Sequence, residues 1–123
     1  MSAVTALGKA LRRLTASSTD LEREDQRRVS ASAGGTPIVA CRDRSEVVVV
    51  GEVRGLKLEP RGSSRWFEVT LDDGSDTVTL IWMGRRTIAG IEPGARLRVT
   101  GRITRTAEGE RVFYNPRYEL LKA

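Results

Sequence analysis

The feature that most constrains this chain is the alternation of apolar and polar residues that begins at Ser45. Successive side chains of a strand point to opposite faces, so a period of two predicts β-strands with one buried face. The pattern predicts five strands, over Glu46–Gly55, Arg65–Asp72, Asp76–Met83, Ala95–Arg105 and Arg111–Leu121. We therefore expect an all-β domain.

Glycine and proline mark the connections between these strands. Asp73-Gly74 predicts a tight hairpin between strands two and three, and Pro93-Gly94 predicts the turn into strand four. Residues 57–64 include Pro60 and are predicted to form a loop. Residues 84–91 are too polar for a long helix, which predicts one turn or a short 3₁₀ segment.

The alternation also assigns side chains to faces. The apolar set that we expect inside comprises Val47, Val49, Val53, Phe67, Val69, Leu71, Val78, Leu80, Trp82, Leu97, Val99 and Ile103. The complementary set comprises Arg54, Trp66, Glu68, Thr70, Thr79, Ile81, Arg96, Arg98 and Arg102. Gly51, Gly55 and Gly101 lie where a small closed barrel needs sharp coiling. Five short strands of this kind favour an OB-type barrel.

Residues 1–36 lack β character and are predicted to be a helical appendage to the barrel of residues 37–123. Leu7, Leu11 and Leu14 form a helical stripe, and a capping box beginning at Thr19 predicts a second helix. Gly34-Gly35 would end this helix. Its apolar side is narrow (Leu21, Val29 and Ala33), so we expect the helix to pack against another surface or to stay partly disordered. We expect residues 45–121 to fold without the appendage.

The charge balance favours a polyanionic partner. The chain has 21 Lys and Arg against 16 Asp and Glu, a net charge of +5 and a pI near 10.1. The only lysines are Lys9, Lys57 and Lys122, so nearly all positive charge is guanidinium, which suits phosphate contacts and base stacking. A genome of high GC content would also enrich arginine over lysine.

Several classes of function are disfavoured by what the sequence lacks. Cys41 is the only cysteine and there is no histidine, which excludes an internal disulfide and disfavours a zinc site. A hairpin turn explains Asp72, Asp73 and Asp76 without a metal. We expect no enzyme, no catalytic residue and no cofactor, because nucleophile turns and phosphate-binding glycine loops are missing. The longest apolar runs span four residues, which predicts a cytoplasmic protein without a membrane partner.

Cys41 admits two interpretations. Its neighbours Arg42 and Arg44 could lower the pKa of the thiol. A small buried residue where the linker meets the barrel is the more common explanation.

Trp66 is the main candidate for binding, because a single-strand-binding surface combines a stacking platform with guanidinium groups along the backbone. Alternation that buries Phe67 turns Trp66 outward, among Arg54, Lys57, Arg61 and Arg65. The alternative is an indole covered by the N-terminal helices. Trp82 is in phase with Leu80 and is assigned to the core.

Further arginines complete the predicted site. Arg85 and Arg86 lie at the mouth of the barrel, and Arg96, Arg98 and Arg102 form a row along strand four. An anionic ligand would relieve the mutual repulsion of this row, although an ordinary polar exterior explains it equally well. Tyr114, Asn115 and Arg117 are further candidates, but the phase of strand five leaves open whether Tyr114 is in the core.

Four stretches resemble small actinobacterial proteins described as OB-fold nucleic-acid-binding proteins. They are Asp73–Arg86 (DGSDTVTLIWMGRR), Ile91–Gly94 (IEPG), Val99–Ile103 (VTGRI) and Tyr114–Leu120 (YNPRYEL). The chain is similar, more loosely, to the anticodon-binding OB domains of aminoacyl-tRNA synthetases and to the wedge domain of a branched-DNA helicase with a comparable Pro-x-Tyr ending. The resemblance covers about the last two-thirds of the chain and implies the fold more strongly than the ligand.

These observations favour an accessory protein that binds single-stranded or branched DNA, or RNA, through arginine–phosphate contacts and limited stacking. The alternative is a module for protein interaction, in which the barrel and the N-terminal helices bind another protein or a second copy. Nothing in the sequence distinguishes DNA from RNA.

Overall fold

The computed structural model describes residues 19–62, 64–85 and 87–121. Residues 19–32 form a helix, α1, and Ile38–Ala40 form one 3₁₀ turn. Six strands follow: β1 (Ser45–Arg61), β2 (Ser64–Asp72), β3 (Thr77–Met83), β4 (Arg96–Arg105), β5 (Arg111–Tyr114) and β6 (Arg117–Leu121). The leucine stripe predicted at residues 7–14 lies outside the described residues. No helix in the described ranges has the length and apolarity needed to span a bilayer.

Five of the strands close into a ring in the order β1, β2, β3, β5, β4 and back to β1. The β3–β5 pair is parallel and the other pairs are antiparallel. This closed arrangement confirms the predicted OB-type barrel. Strand β6 continues the line of β5 and pairs with the first half of β4.

The predicted fifth strand, residues 111–121, is interrupted at Asn115 and Pro116. Asn115 adopts a positive φ of 48°, and Pro116 has no N–H to donate to a ladder. The break has its own partners, since the Met83 N–H donates to Asn115 Oδ1 at 3.0 Å and the Trp82 Nε1–H donates to the Pro116 carbonyl at 3.1 Å. Two short strands therefore replace the single long one.

The prediction of a loop at residues 57–64 is wrong, because β1 continues to Arg61. Residues 45–52 of β1 pair with β4, and residues 52–61 pair with β2, with an irregularity between Val53 and Gly55. Beyond Val53, only β2 pairs with β1 within the described part of the chain. Pro60 is tolerated there because an edge strand has one side on which a missing N–H costs little.

The predicted core is confirmed almost completely. All twelve inward residues are buried except Val47, which is half-buried and packs against the others. The β3–β4 connection forms the predicted turn, closed by the Ile91 N–H donating to the Ile88 carbonyl at 3.2 Å, and both isoleucines are buried. Ile81 corrects the predicted outer set, because it lies on the outer face but is only 5% exposed.

Helix α1 ends as predicted. The N–H groups of Gly34 and Gly35 donate to the carbonyls of Ala31 and Ser30 at 3.0 and 2.9 Å, with Gly34 at a φ of 85°. This is the Schellman arrangement, in which glycine adopts the left-handed conformation at lowest cost.

The helix packs on the barrel through a polar side that the sequence did not indicate. Ser30 is 5% exposed, and of the predicted apolar side Val29 and Ala33 are half-buried whereas Leu21 is 62% exposed. The Arg23 and Arg27 guanidinium groups donate to the Gly74 carbonyl, both at 3.2 Å. A Cβ atom on Gly74 would lie 2.5 Å from the Arg23 carbonyl oxygen, so the helix rests directly on the β2–β3 turn.

Replacing Gly74 measures the contribution of this docking. Gly74→Ala and Gly109→Ala each place a side chain at positive φ (89° and 85°), which costs about 1–2 kcal/mol. Only Gly74 faces the helix, so Gly74→Ala should lower the free energy of unfolding by roughly 1–3 kcal/mol more, as overpacking does. Urea denaturation of both variants checks this. Equal losses would show that α1 adds nothing to the stability of the barrel.

Candidate nucleic-acid interface

A groove of about 590 Å³ crosses the outer face of β2 and β3, between the β1–β2 hairpin and the β4–β5 loop. Four strands, β1, β2, β3 and β5, and the loop of residues 106–110 contribute its lining. The lining residues are Gly55, Leu56, Lys57, Glu59, Trp66, Glu68, Thr70, Thr79, Ile81, Thr106, Glu108, Glu110, Val112 and Tyr114. This is the face on which OB barrels bind oligonucleotides and oligosaccharides.

An aromatic pair forms one wall of the groove. The rings of Trp66 and Tyr114 lie 6.2 Å apart at 78°, an edge-to-face contact. Trp66 is half-buried and Tyr114 is 46% exposed, whereas Phe113 is fully buried. The structure therefore turns Trp66 outward as predicted and assigns Tyr114 to the surface, the question that the sequence left open.

Helix α1 does not cover this indole. The helix contacts Gly74, which follows the C-terminal end of β2, whereas Trp66 lies near the N-terminal end of that strand. The partner of Trp66 across the sheet is Met83, itself 41% exposed. Within the described residues, the platform remains accessible from the groove.

The charged groups of the groove are mainly acidic. Among the described residues, Glu59, Glu68, Glu108 and Glu110 line it together with a single cation, Lys57. The Lys57 Nζ lies 3.4 Å from the Glu59 carboxylate and 3.8 Å from that of Glu68, so its charge is already balanced. Phosphate groups are therefore not favoured on the floor of the groove.

The predicted arginine row on β4 lies outside the groove, and each member has an intramolecular partner. Arg96 donates to Gln26 at 3.2 Å. Arg98 donates to the Ala33 carbonyl at 3.0 and 3.3 Å and to Glu119 at 2.7 Å. Because Ala33 follows α1, Arg98 places its charge at the C-terminal end of the helix dipole. Arg102 donates to the Arg44 carbonyl at 2.6 Å.

Arg54 is also paired within the chain. Its guanidinium lies 3.7 Å from the Glu52 carboxylate and 3.5 Å from that of Asp72. Half of the side chain remains exposed, so these contacts are weak. Arg54 lies at the irregularity of β1, towards the end of the barrel where α1 is docked.

Two of the predicted arginines, Arg65 and Arg85, lie at the same end of the β2–β3 pair as Trp66 and have no side-chain partner among the described residues, although alternation directs Arg65 to the face opposite Trp66. The Gly84 N–H donates to the Arg65 carbonyl at 2.8 Å, which brings Arg65 and Arg85 to the same end of the β2–β3 pair. Both are exposed, and neither guanidinium forms a hydrogen bond or ion pair with described residues. The side chain of Arg61 and the whole of Arg86 lie outside the described residues.

The structure thus brings Trp66 and Lys57 of the predicted site together in the groove, whereas Arg65 and Arg85 lie at the same end of the sheet without lining the groove. Sequence reasoning missed Glu68, Ile81 and the 106–110 loop as parts of the groove. Alternation placed Glu68 and Ile81 on the same face as Trp66, and this shared phase was the available signal. No sequence pattern indicated that the loop would form the far wall.

The aspartates of the β2–β3 turn hold the backbone. Asp72 Oδ1 accepts the Gly74 N–H at 2.7 Å, and Asp73 accepts the N–H groups of Ser75 and Asp76 at 2.9 and 3.2 Å. The second oxygen of Asp73 accepts the Ile38 N–H at 2.8 Å. These bonds attach the turn to the 3₁₀ segment.

Cys41 is buried, as the second of the two interpretations expected. Burial raises the pKa of its thiol, the nearby Asp73 carboxylate raises the pKa further, and Arg111 offsets part of the increase. The flanking arginines therefore do not give a reactive thiolate at neutral pH.

Cys41 should react with a thiol reagent more slowly than free cysteine at pH 8, because both burial and the raised pKa lower the thiolate population at its surface. The reaction should accelerate to the rate of free cysteine in denaturant. Equal rates in the folded and unfolded protein would show that the thiol is accessible and ionised.

Comparisons with known proteins agree with the fold. The family described as OB-fold nucleic acid binding domain matches residues 47–121, more than half of the chain, and the chain belongs to this family. In the structure of RecG bound to a three-way DNA junction, one chain is 19% identical with a TM-score of 0.57, over 66% of this chain and 12% of that chain. That likeness shows the fold. No curated protein matches significantly.

Proposed function

We propose that this chain is an accessory, non-catalytic protein that binds single-stranded or branched nucleic acid at the groove. Bases stack against Trp66 and Tyr114, and the phosphates lie on the side of Arg65 and Arg85. The observation that carries this proposal is the aromatic pair on the sheet face of an OB-fold nucleic acid binding domain, at the end of the sheet where Arg65 and Arg85 are exposed without a side-chain partner among the described residues.

The charge distribution supports this orientation of the ligand. Four carboxylates in the groove repel phosphates, while Arg65 and Arg85 attract them at the end of the β2–β3 pair that carries Trp66. A single strand satisfies both conditions when its bases turn inward and its backbone follows the edge. Base stacking on an aromatic side chain tolerates any sequence, because every base has a π-face.

A protein ligand is the second candidate, and the acidic lining favours it. A cationic segment of another protein would pair with Glu59, Glu68, Glu108 or Glu110 and stack on the aromatic wall. The two candidates differ in the sign of the ligand's charge. Titration with a single-stranded oligonucleotide and with an oligo-arginine peptide therefore separates them, since only one should bind at near-physiological salt.

Trp66→Ala should weaken binding of a single-stranded oligonucleotide by about 1–3 kcal/mol, because it removes a stacking platform. The melting temperature should change little, since the indole is only half-buried. Fluorescence anisotropy with a labelled oligonucleotide measures the affinity. Val39→Ala, which alters a side chain 57% exposed and outside the groove, is the matched control.

Two results would contradict the proposal. One is equal affinity for Trp66→Ala and Val39→Ala. The other is an affinity that does not change with salt, because a single strand with one phosphate contact each at Arg65 and Arg85 should give a log–log slope of about −1.4.

A further inference from the structure

Four arginines that lie outside the groove belong to two adjoining segments, where β1 begins and where β4 ends. We name Arg42, Arg44, Arg102 and Arg105 the arginine patch. The Arg44 N–H donates to the Ile103 carbonyl at 2.7 Å, and Arg102 Nη1 donates to the Arg44 carbonyl at 2.6 Å. The Arg105 N–H donates to Asp43 Oδ1 at 2.8 Å. These bonds hold residues 42–44 against the end of β4.

The patch carries an excess of positive charge. All four arginines are exposed, and Asp43 and Glu46 are the acidic residues in the same two segments, residues 42–46 and 102–105. The guanidinium groups of Arg42, Arg44 and Arg105 form no ion pair or hydrogen bond with the described residues, and that of Arg102 bonds a neutral carbonyl. The neighbouring Arg111, opposite Arg105, pairs with Asp76.

The backbone at Arg44 is strained. Arg44 has a φ of 63°, in a turn closed by the Ser45 N–H donating to the Arg42 carbonyl at 3.3 Å. Glycine or asparagine is favoured at such a position, and an arginine side chain gains no packing there because it is exposed. Strain that packing does not require points to a functional role for the side chain.

No aromatic side chain belongs to the patch, so its chemistry differs from that of the groove. Guanidinium groups without a stacking platform contact phosphates and do not recognise the bases. A duplex presents phosphates on its surface while its bases remain stacked inside. We propose that the arginine patch binds the phosphodiester backbone of double-stranded nucleic acid, as a second surface that functions without the groove.

The position of the patch fits a ligand with both single-stranded and duplex parts. Arg105 lies directly before Thr106, which lines the groove, so the two surfaces adjoin at the 106–110 loop. A duplex on the patch continues into a single strand at the groove. The two surfaces together would therefore hold a branched nucleic acid, which extends the proposed function of the groove.

The test uses Arg44→Gly and Arg105→Gln, singly and together, in the whole chain. Arg28→Gln is the matched control, because Arg28 is exposed on α1 and has no partner among the described residues. The probe is a blunt duplex of about 20 base pairs. The double variant should bind it roughly tenfold more weakly, and the log–log salt slope should fall by about 1.8, which corresponds to two lost phosphate contacts.

Stability separates a binding defect from a folding defect. Arg44→Gly should melt at the same temperature as the wild type or higher, since glycine accepts the positive φ. If the double variant bound the duplex as tightly as Arg28→Gln does, the proposal would be overturned. Binding to vesicles of phosphatidylserine and phosphatidylcholine that depends on Arg44, without duplex binding, would also overturn it.

The experiments can contradict the groove proposal and the patch proposal separately. Loss of single-strand binding in Trp66→Ala with unchanged duplex binding in the double variant would leave the groove proposal intact and remove the patch. The reverse pattern would support the patch and remove the groove.

Discussion

The closure of the barrel depends on strand β1 pairing with two different neighbours. Its first half pairs with β4 and its second half with β2, and the change occurs around Gly51 and the irregularity at residues 53–55. A Cβ atom on Gly51 would lie 2.8 Å from the Asp72 carbonyl oxygen, so no larger residue fits where β1 crosses the end of β2. The ring order that defines the fold follows from this crossing.

The same crossing separates the outer surface into faces with different roles. The face of β1 and β4 is occupied by α1, whose C-terminal carbonyl at Ala33 accepts two hydrogen bonds from Arg98. The face of β2, β3 and β5 is left open as the groove. Charge is therefore distributed unevenly over the described residues, because the lining of the groove is mainly acidic while exposed arginines lie at the end of the β2–β3 pair and on the patch.

The alternation predicted the core because burial on one face of a strand is a local property of the sequence. It failed at β1, where Pro60 and Gly62 signalled a loop but the strand continues as an edge. It also failed for the interaction partners of the arginines. Arg96 bonds Gln26 of α1 and Arg98 bonds the carbonyl of Ala33 just after α1. Both partners lie more than sixty positions away, and such contacts leave no local pattern.

The sequence predicted the candidate site about as far as it predicted the fold. Phase alone turned Trp66 outward, but the bend at Asn115 that brings Tyr114 to its side is a tertiary feature. The strain at Arg44 is likewise invisible in the sequence, since only the backbone conformation distinguishes it from the other exposed arginines.

The two tryptophans allow the most direct test of the account, because each gives one indole N–H signal in a nitrogen-edited NMR spectrum. During titration with a single-stranded oligonucleotide, the Trp66 signal should shift progressively to saturation. The Trp82 signal should remain nearly constant, since this indole is buried and bonded to the Pro116 carbonyl. A Trp66 signal that stays in place while the oligonucleotide binds would contradict the central claim that the groove is the site.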